Sequence, residues 1–314
     1  MPYAIEASQL TKRYTSQKEA RPAIEDISLQ IPEGELYGLV GPDGAGKTTL
    51  LRILSTVMEP TSGSARIAGF DLHRQVEKAR NYIGYMPQAF SLYPDLTVLE
   101  NIHFFADLNG VPKARRKERA AELLDFARLT EFTSRRSKNL SGGMRKKLAL
   151  ACALIHEPKV LLLDEPTTGV DPVSRRELWH LLARVIQQGV AVMISTPYMD
   201  EAERCHTVGI LNQGRLLISG PPSELETQLP FQIIEVKARP RRTLREVVAA
   251  SQDVLAWRAV GDRLRLAVAD PLQAQQHLAA SLNQAGATTS ILRQARPTME
   301  DVFIHLVENR RDRT

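Results

Sequence analysis

The chain of 314 residues has the length of about two ordinary domains, and its 43% hydrophobic and 25% charged residues are typical of a globular protein with a substantial core. No apolar run approaches the roughly 18–20 residues that cross a bilayer, and the start lacks a basic-then-apolar signal pattern, so we expect a cytosolic chain. The net charge of +5 is mild, and its local clusters favour solvated helix faces over a specific nucleic-acid site.

The N-terminal segment contains two alternating apolar stretches between residues 3 and 35, which predict a β-hairpin or a small antiparallel sheet beside the main fold. Tyr14 lies at the end of the first stretch. An aromatic ring in that place could stack on a purine base, although in isolation packing within the hairpin is the simpler interpretation.

A glycine-rich loop, GPDGAGKTT, follows the apolar stretch 36–40 and leads into a helix-compatible stretch. Its spacing is that of a phosphate-binding loop, in which glycines let successive backbone N–H groups turn toward a phosphate chain. Lys47 adds a positive charge for the terminal phosphates, and the Thr48 hydroxyl can ligate Mg²⁺. The predicted loop residues of this nucleotide site are Gly41, Pro42, Asp43, Gly44, Ala45, Gly46, Lys47, Thr48 and Thr49.

Two further strands are predicted at 63–69 and 82–86, and Gln88 comes just after the second. A glutamine past a strand end can reach a metal or a water. Taken alone, however, Gln88 is better explained as a polar loop residue.

Helical patterns occupy the stretch from 94 to 153. Thr97 and Glu100 predict a capping box, and a second helix is expected over 113–129. Ser141 then stands at a helix N-cap with Gly142 and Gly143 behind it. This arrangement exposes backbone N–H groups at a helix N-terminus and predicts a second anion-facing surface, separate from the phosphate loop.

The run VLLLDE at 160–165 predicts a buried parallel strand that ends in two acids. In α/β sheets, ligands bind at the carboxyl ends of the strands. Asp164 can therefore hold Mg²⁺ through a water molecule, and Glu165 can orient an attacking water. Two acids after a strand could also form a helix N-cap, but the phosphate loop earlier in the chain argues against that. A last strand is expected at 190–195, followed by a helix with Pro197 at its first position.

Six features stand in the order and spacing of ABC-type ATPase domains, which residues 3 to about 228 resemble: Tyr14, residues 41–49, Gln88, LSGGM at 140–144, VLLLDEP at 160–166 and Asp171. The combination of LSGGM with a phosphate loop is highly specific to that family. The resemblance implies ATP and Mg²⁺ as cofactors, with Tyr14 stacked on adenine.

The resemblance also assigns roles to single residues. It implies that Glu165 is the catalytic base, assisted by Gln88 and Lys47, and that the metal-side residues are Thr48, Gln88 and Asp164. In the family, the turn matching Ser141, Gly142 and Gly143 contacts the nucleotide held by the opposite subunit, and the residue matching Asp171 links the two sites across the dimer.

One position departs from the family pattern. Where such domains have a histidine after the last strand, this chain has Pro197. That histidine hydrogen-bonds the terminal phosphate, whereas proline offers neither a side-chain donor nor a backbone N–H. Loss of one preorganised donor typically lowers the rate by about 10²–10³. We therefore expect pairing with a second ABC subunit that keeps the histidine, in preference to a homodimer.

The segment 229–314 predicts a separate βαββαβ unit, a small α+β domain with a regulatory or dimer-stabilising role. Its ending, around Pro297–Phe303, resembles the tail of ATP-binding subunits of bacterial drug-type and polysaccharide-type exporters.

The expected fold is therefore an α/β P-loop NTPase of the ABC ATPase type over residues 1–228, with a mixed sheet, an antiparallel β subdomain and a helical subdomain at about 94–153. The expected function is that of the ATP-hydrolysing subunit of a membrane exporter. It would lie on the cytoplasmic face of the membrane, with transmembrane permease subunits on separate chains and no specific nucleic-acid partner. A catalytically impaired, ATP-binding regulatory subunit and a soluble non-transport ABC protein are the alternatives.

Overall fold

The computed structural model describes residues 3–14, 21–89 and 92–311, and for 308–311 it describes the backbone alone. The chain divides into two compact units, Met1–Pro222 and Ser223–Thr314.

The first unit alternates strands and helices. Its strands are β1 Tyr3–Lys12, β2 Ile24–Pro32, β3 Leu36–Val40, β4 Ser62–Ile67, β5 Phe70–Asp71, β6 Ile83–Met86, β7 Val160–Asp164, β8 Ala191–Thr196, β9 Thr207–Asn212 and β10 Arg215–Gly220. Its helices are α1 Lys47–Leu54, α2 Val76–Arg80, α3 Val98–Leu108, α4 Lys113–Phe126, α5 Gly142–Leu154, α6 Pro172–Gln187 and α7 Met199–Ala202.

A six-stranded sheet with the order β10-β9-β3-β8-β7-β6 forms the centre of this unit. The five strands β9, β3, β8, β7 and β6 pair in parallel with their neighbours. The edge strand β10 pairs with β9 in the antiparallel sense. Every residue of β3 and β7 is buried, as expected for apolar runs covered on both faces. The carboxyl ends of β3, β6, β7 and β8 therefore meet along one edge of the sheet.

A second, antiparallel sheet has the order β2-β1-β4-β5, which confirms the antiparallel element expected at the N-terminus. Alternate apolar residues of its strands, including Ile5, Leu10, Ile27 and Ile67, share one core with α1 and the central sheet. That shared core fixes the phosphate loop between the two sheets.

The region between β6 and β7 is helical. Thr97 and Glu100 form the predicted capping box at the start of α3. The helix expected over 113–129 ends earlier, at Phe126. Arg128 adopts a left-handed backbone with φ 55°, which a continuing α-helix cannot accommodate.

The helix expected to begin at Pro197 also differs from the prediction. It begins at Met199, with Tyr198 as its N-cap, so placing Pro197 at the first helical position was wrong. The Thr196 hydroxyl accepts a hydrogen bond from the Tyr198 N–H at 3.1 Å and donates to Glu201 at 2.6 Å. These bonds hold the preceding residues in a turn and delay the helix.

Helix α8, Pro222–Thr227, begins at the last residue of the first unit and continues into the second. The second unit further contains β11 Gln232–Arg239, α9 Arg241–Ala250, β12 Val254–Val260, β13 Arg263–Val268, α10 Pro271–Gln284, β14 Thr288–Ala295 and α11 Met299–Arg311. Its four strands form one antiparallel sheet with the order β12-β13-β11-β14. Apolar residues on one sheet face, such as Val236 and Leu266, pack against Leu244 of α9 and Leu278 of α10.

The opposite face of that sheet carries charges, because side chains alternate along a strand. Arg265 of β13 donates to Glu235 of β11 at 3.0 Å and to Asp301 of α11 at 2.9 Å. This buried network attaches α11 to the sheet. Throughout the described part of the chain, helices fall short of the length and apolarity needed to span a membrane.

Candidate functional site

The phosphate loop lies between the end of β3 and the start of α1. Gly46 has φ 108°, and a side-chain carbon on it would lie 2.4 Å from the carbonyl oxygen of Ala23. A carbon on Gly41 would lie 2.1 Å from the carbonyl oxygen of Leu211. Glycine is thus required at both positions, by backbone angle at the first and by close packing at both. Within the loop Pro42, Asp43 and Gly44 are exposed and Ala45 is buried.

Lys47 opens α1 and is 4% exposed. Its ammonium group donates to the carbonyl oxygens of Gly41 at 2.8 Å and Pro42 at 3.0 Å, and lies 3.7 Å from Oε1 of Glu165. The charge is therefore held directly under the loop, where a phosphate chain would enter.

Asp164 ends β7 and is fully buried. Its Oδ1 accepts hydrogen bonds from the hydroxyls of Thr48 at 3.2 Å and Ser195 at 2.6 Å. Its Oδ2 is buried and has no hydrogen-bond partner. An unpaired buried carboxylate oxygen beside a threonine hydroxyl fits Mg²⁺, which proteins bind with one or two oxygen ligands and substrate phosphates.

Ser195 has a part in this site that sequence reasoning missed. It pairs with Asp164 in the parallel register of β7 and β8, and besides donating to that carboxylate it accepts from the Glu165 N–H at 3.0 Å. The pairing of β7 with β8 brings it there, and nothing in the local sequence signals it.

Glu165 has a left-handed backbone with φ 48°, a conformation uncommon for a residue with a side chain. Its Oε2 accepts from the amide of Gln88 at 2.9 Å and from the hydroxyl of Thr168 at 3.3 Å. The strained backbone turns the carboxylate out of the strand direction toward Gln88, which follows β6. Thr168 is a second contact that sequence reasoning missed.

Tyr14 borders the same site. Its hydroxyl lies 3.3 Å from that of Thr49 on α1 and donates to the sulfur of Met58 at 3.6 Å. The side chain is 39% exposed. The ring therefore stands at the surface next to the phosphate-loop helix.

A second group of predicted residues lies at the start of α5. Ser141 is exposed and caps this helix, its hydroxyl accepting from the Met144 N–H at 3.2 Å. Gly143 packs on α6 so closely that a side-chain carbon would lie 2.2 Å from the hydroxyl of Ser174. The contact joins the N-terminus of α5, which begins at Gly142, to the first turn of the next helix.

Asp171 caps α6 by accepting from the N–H groups of Val173 at 3.1 Å and Ser174 at 3.0 Å. The bonds from the Ser174 backbone and side chain hold the pKa of Asp171 below its usual range. In the described part of the chain, no hydrogen bond or ion pair joins Ser141, Gly142, Gly143 or Asp171 to the group around Lys47, Asp164 and Glu165. Within one chain the two groups are separate.

Pro197 directly follows β8 and is partly exposed. The histidine nearest to it in the chain, His206, accepts a hydrogen bond from the Leu36 N–H at 3.0 Å. Leu36 begins β3, whereas the phosphate loop follows its end. His206 therefore lies at the opposite end of the strand and cannot supply the missing donor.

The sequence matches known proteins along its whole length. The profile of a family described as "ABC transporter" matches residues 24–168. The daunorubicin resistance ATP-binding protein DrrA2 of Streptomyces coeruleorubidus is 34% identical over 99% of this chain and 97% of its own. The Nod factor export ATP-binding protein I of Cupriavidus metallidurans is 35% identical over 90% of this chain and 91% of its own.

A shorter match is closer in sequence. The "Probable multidrug ABC transporter ATP-binding protein YbhF" of Escherichia coli K12 is 48% identical over 221 residues, 70% of this chain. The matched part is 38% of that protein and of its Shigella flexneri counterpart, so this chain corresponds to well under two thirds of those relatives.

Solved structures agree with the sequence matches. An ATP-binding subunit of an ABC transporter superposes with a TM-score of 0.65 at 30% identity, over 72% of this chain and 92% of its own. A dimeric ATP-binding cassette in a post-hydrolysis state, bound to ADP and Pi, gives a TM-score of 0.64 at 29% identity, over 69% and 98% of the two chains.

Proposed function

Because this chain belongs to the family of bacterial ABC exporter ATP-binding proteins, we propose that it binds and hydrolyses ATP to drive a membrane exporter. The observation that carries the proposal is the unpaired Oδ2 of Asp164, buried beside Thr48 and next to the Gln88–Glu165 pair. One edge of the sheet then carries three groups that ATP hydrolysis needs. They are the phosphate loop, the Asp164 carboxylate for Mg²⁺ and the Glu165 carboxylate, which can take a proton from water.

The loop N–H groups and the α1 N-terminus would bind the phosphates, with Lys47 exchanging its two carbonyl partners for phosphate oxygens. Thr48 and Asp164 would hold Mg²⁺, which neutralises charge on the β- and γ-phosphates when it is bound. Glu165 would orient the attacking water and accept its proton, and Gln88 would fix the position of that carboxylate.

A second ABC subunit would complete the site. Ser141 lies exposed at the N-terminus of α5, where backbone N–H groups can face a phosphate. The solved cassette is dimeric and bound to ADP and Pi, which supports a dimeric assembly. In that assembly we infer that the turn at Ser141 closes on a nucleotide held by the other subunit. We favour a heterodimer, because a homodimer would carry Pro197 in both sites.

Transmembrane permease subunits would dock on the helical region near Gln88. Tyr93 is 46% exposed and packs edge-on against Phe104, with ring centroids 4.4 Å apart, and Leu108 is 68% exposed. An apolar patch of this kind suits a helix from a membrane subunit. The chain would then work on the cytoplasmic face of the membrane.

Pro197 favours one alternative, in which this chain binds ATP with little turnover in its own site and serves the partner's site through Ser141. Reconstitution with the partner and permease subunits separates the two functions. Transport with hydrolysis in both sites supports an ATP-hydrolysing role for this chain. Transport with hydrolysis confined to the partner's site supports a chain that binds ATP with little turnover of its own. An assembly that neither binds ATP nor transports would contradict both functions.

A further inference from the structure

Lys146 lies on α5, five positions after Ser141, and is 4% exposed. Its ammonium group donates to the backbone carbonyl of Glu165 at 3.3 Å and to that of Gln88 at 3.5 Å. One side chain thus contacts the backbones of two residues whose side chains bond to each other at 2.9 Å. No motif in the sequence marks this lysine.

Burying a lysine is costly, because the charged form loses its hydration. Burial lowers the pKa of Lys146, and the nearby carboxylates of Glu165 and Asp164 oppose that shift. An apolar residue would fill the same volume without this cost. The bonds to the two carbonyl oxygens are therefore a contribution that a lysine makes here and that an apolar side chain of the same size would not make.

The carbonyl of Glu165 accepts from the Lys146 ammonium group and from the Thr168 N–H, each at 3.3 Å. Its residue has the left-handed φ of 48°, and strained conformations of this kind persist only when the surroundings fix them. The N–H of the same residue is held by Ser195 at 3.0 Å. Lys146 and Ser195 thus hold the peptide groups on the two sides of the catalytic carboxylate.

We propose that Lys146 is a positioning residue that ties Glu165 and Gln88 to helix α5 of the same subunit. The proposal rests on the proposed function, since it assigns Glu165 and Gln88 to the chemistry. A displacement of α5, when Ser141 contacts nucleotide in the partner's site, would then reach the catalytic pair of its own site. The two sites of the assembly would be coupled through this side chain.

The neighbouring residue provides a matched control. Lys147 is also buried, at 7% exposure, but its ammonium group pairs with Glu177 of α6 at 2.8 Å and stays away from the catalytic carbonyls. Lys147→Met removes a buried charge from the same helix turn. Lys146→Met removes the carbonyl bonds, and Lys146→Arg keeps a cationic donor.

Hydrogen–deuterium exchange of the full chain without nucleotide tests directly whether Lys146 holds the segments around Glu165 and Gln88 in place. We expect Lys146→Met to speed exchange of amides in 163–169 and 86–89 about tenfold, with β3 and β9 unchanged, because a charge-assisted bond holding that turn is lost. Lys146→Arg should restore part of the protection, and Lys147→Met should leave both segments as in the wild type. Equal exchange in wild type and Lys146→Met, or the same loss in Lys147→Met, would overturn the proposal.

Steady-state ATPase measurements on the reconstituted assembly give a second readout. Lys146→Met should lower kcat about tenfold and change KM less than about threefold, because the carboxylate is misplaced while the phosphate loop is intact. A wild-type assembly without ATPase activity would contradict the proposed function, and the exchange comparison would still decide the role of Lys146.

Discussion

The amide of Gln88 donates a hydrogen bond to Oε2 of Glu165 at 2.9 Å, across the ends of two adjacent parallel strands. The other carboxylate oxygen of Glu165 faces the ammonium group of Lys47 at 3.7 Å. Both carboxylate oxygens of Glu165 thus face polar groups from other segments of the chain. The proposed role of Glu165 as the catalytic base depends on this arrangement.

Glu165→Gln should lower ATP hydrolysis about 10²–10⁴-fold, because the amide cannot accept a proton from water. ATP binding should remain, since the phosphate loop is untouched. Hydrolysis of radiolabelled ATP and equilibrium binding of a fluorescent ATP analogue measure the two properties. Glu131→Gln, at an exposed position, is the control. Retention of full hydrolysis by Glu165→Gln would exclude this residue as the base.

Gly143→Ala should separate α5 from α6, because the added carbon would lie 2.2 Å from Oγ and 2.3 Å from Cβ of Ser174. We expect the chain to bind ATP normally while turnover in the partner's site falls roughly 10²-fold, the typical effect of a misplacement of about 1 Å. Ser174→Gly in the same chain removes the clash and should recover turnover. A full loss that Ser174→Gly does not relieve would count against this packing explanation.

Pro197→His should raise hydrolysis in this chain's own site by roughly 10²-fold, because it supplies a donor where β8 ends. Single-turnover hydrolysis, with the partner's site inactivated, isolates that site. Tyr198→His adds an imidazole one residue further along, at an exposed position, and should have no effect. If both variants match the wild type, the proline does not limit the chemistry.

Asp301 should make the stability of the C-terminal unit depend on pH. Burial alone would raise its pKa, but the bond from Arg258, the charge of Arg265 and the bonds from Thr298 outweigh burial and hold the pKa below its usual range. The ionised Asp301 carboxylate therefore stabilises the folded unit fully above the ordinary aspartate pKa. This stabilisation is lost as the pH falls through the lowered pKa of Asp301.

Asp301→Ala should cost about 3 kcal/mol of unfolding free energy at pH 7, because its carboxylate is 5% exposed and its loss leaves the buried Arg265 without that partner. The substitution should also remove the part of the acid-induced loss of stability that Asp301 causes. Denaturant unfolding followed at several pH values measures both effects. Asp262→Ala deletes an exposed carboxylate that pairs with Lys237 and should change little. An unchanged unfolding curve for Asp301→Ala would contradict the role of this network.

Local signals in the sequence predicted much of the fold. The Thr97–Glu100 capping box and the run of buried residues in β7 depend on neighbours within a few positions, and the structure has both. The end of α4 and the start of α7 were mispredicted. In the first, Arg128 takes a left-handed backbone, and in the second the Thr196 hydroxyl forms a turn that the proline pattern does not reveal.

The residues that sequence reasoning missed reach the site through tertiary contacts. Ser195 meets Asp164 only because β7 and β8 are paired in that register. Lys146 meets Glu165 only because α5 packs against the ends of β6 and β7. Neither contact has a motif of its own, so a single sequence could not indicate them.

The proposed function depends most on the enclosure of ATP between this chain and a second ABC subunit, with Ser141 contacting the nucleotide held by the other subunit. The most direct test is ATP turnover in the partner's site of the reconstituted assembly, with wild-type chain and with Ser141→Arg. We predict a loss of about 10²-fold with Ser141→Arg, because the bulky side chain blocks the N-terminus of α5, while ATP binding to this chain's own phosphate loop is unchanged. Unchanged turnover with Ser141→Arg would contradict the enclosure of ATP between the two subunits.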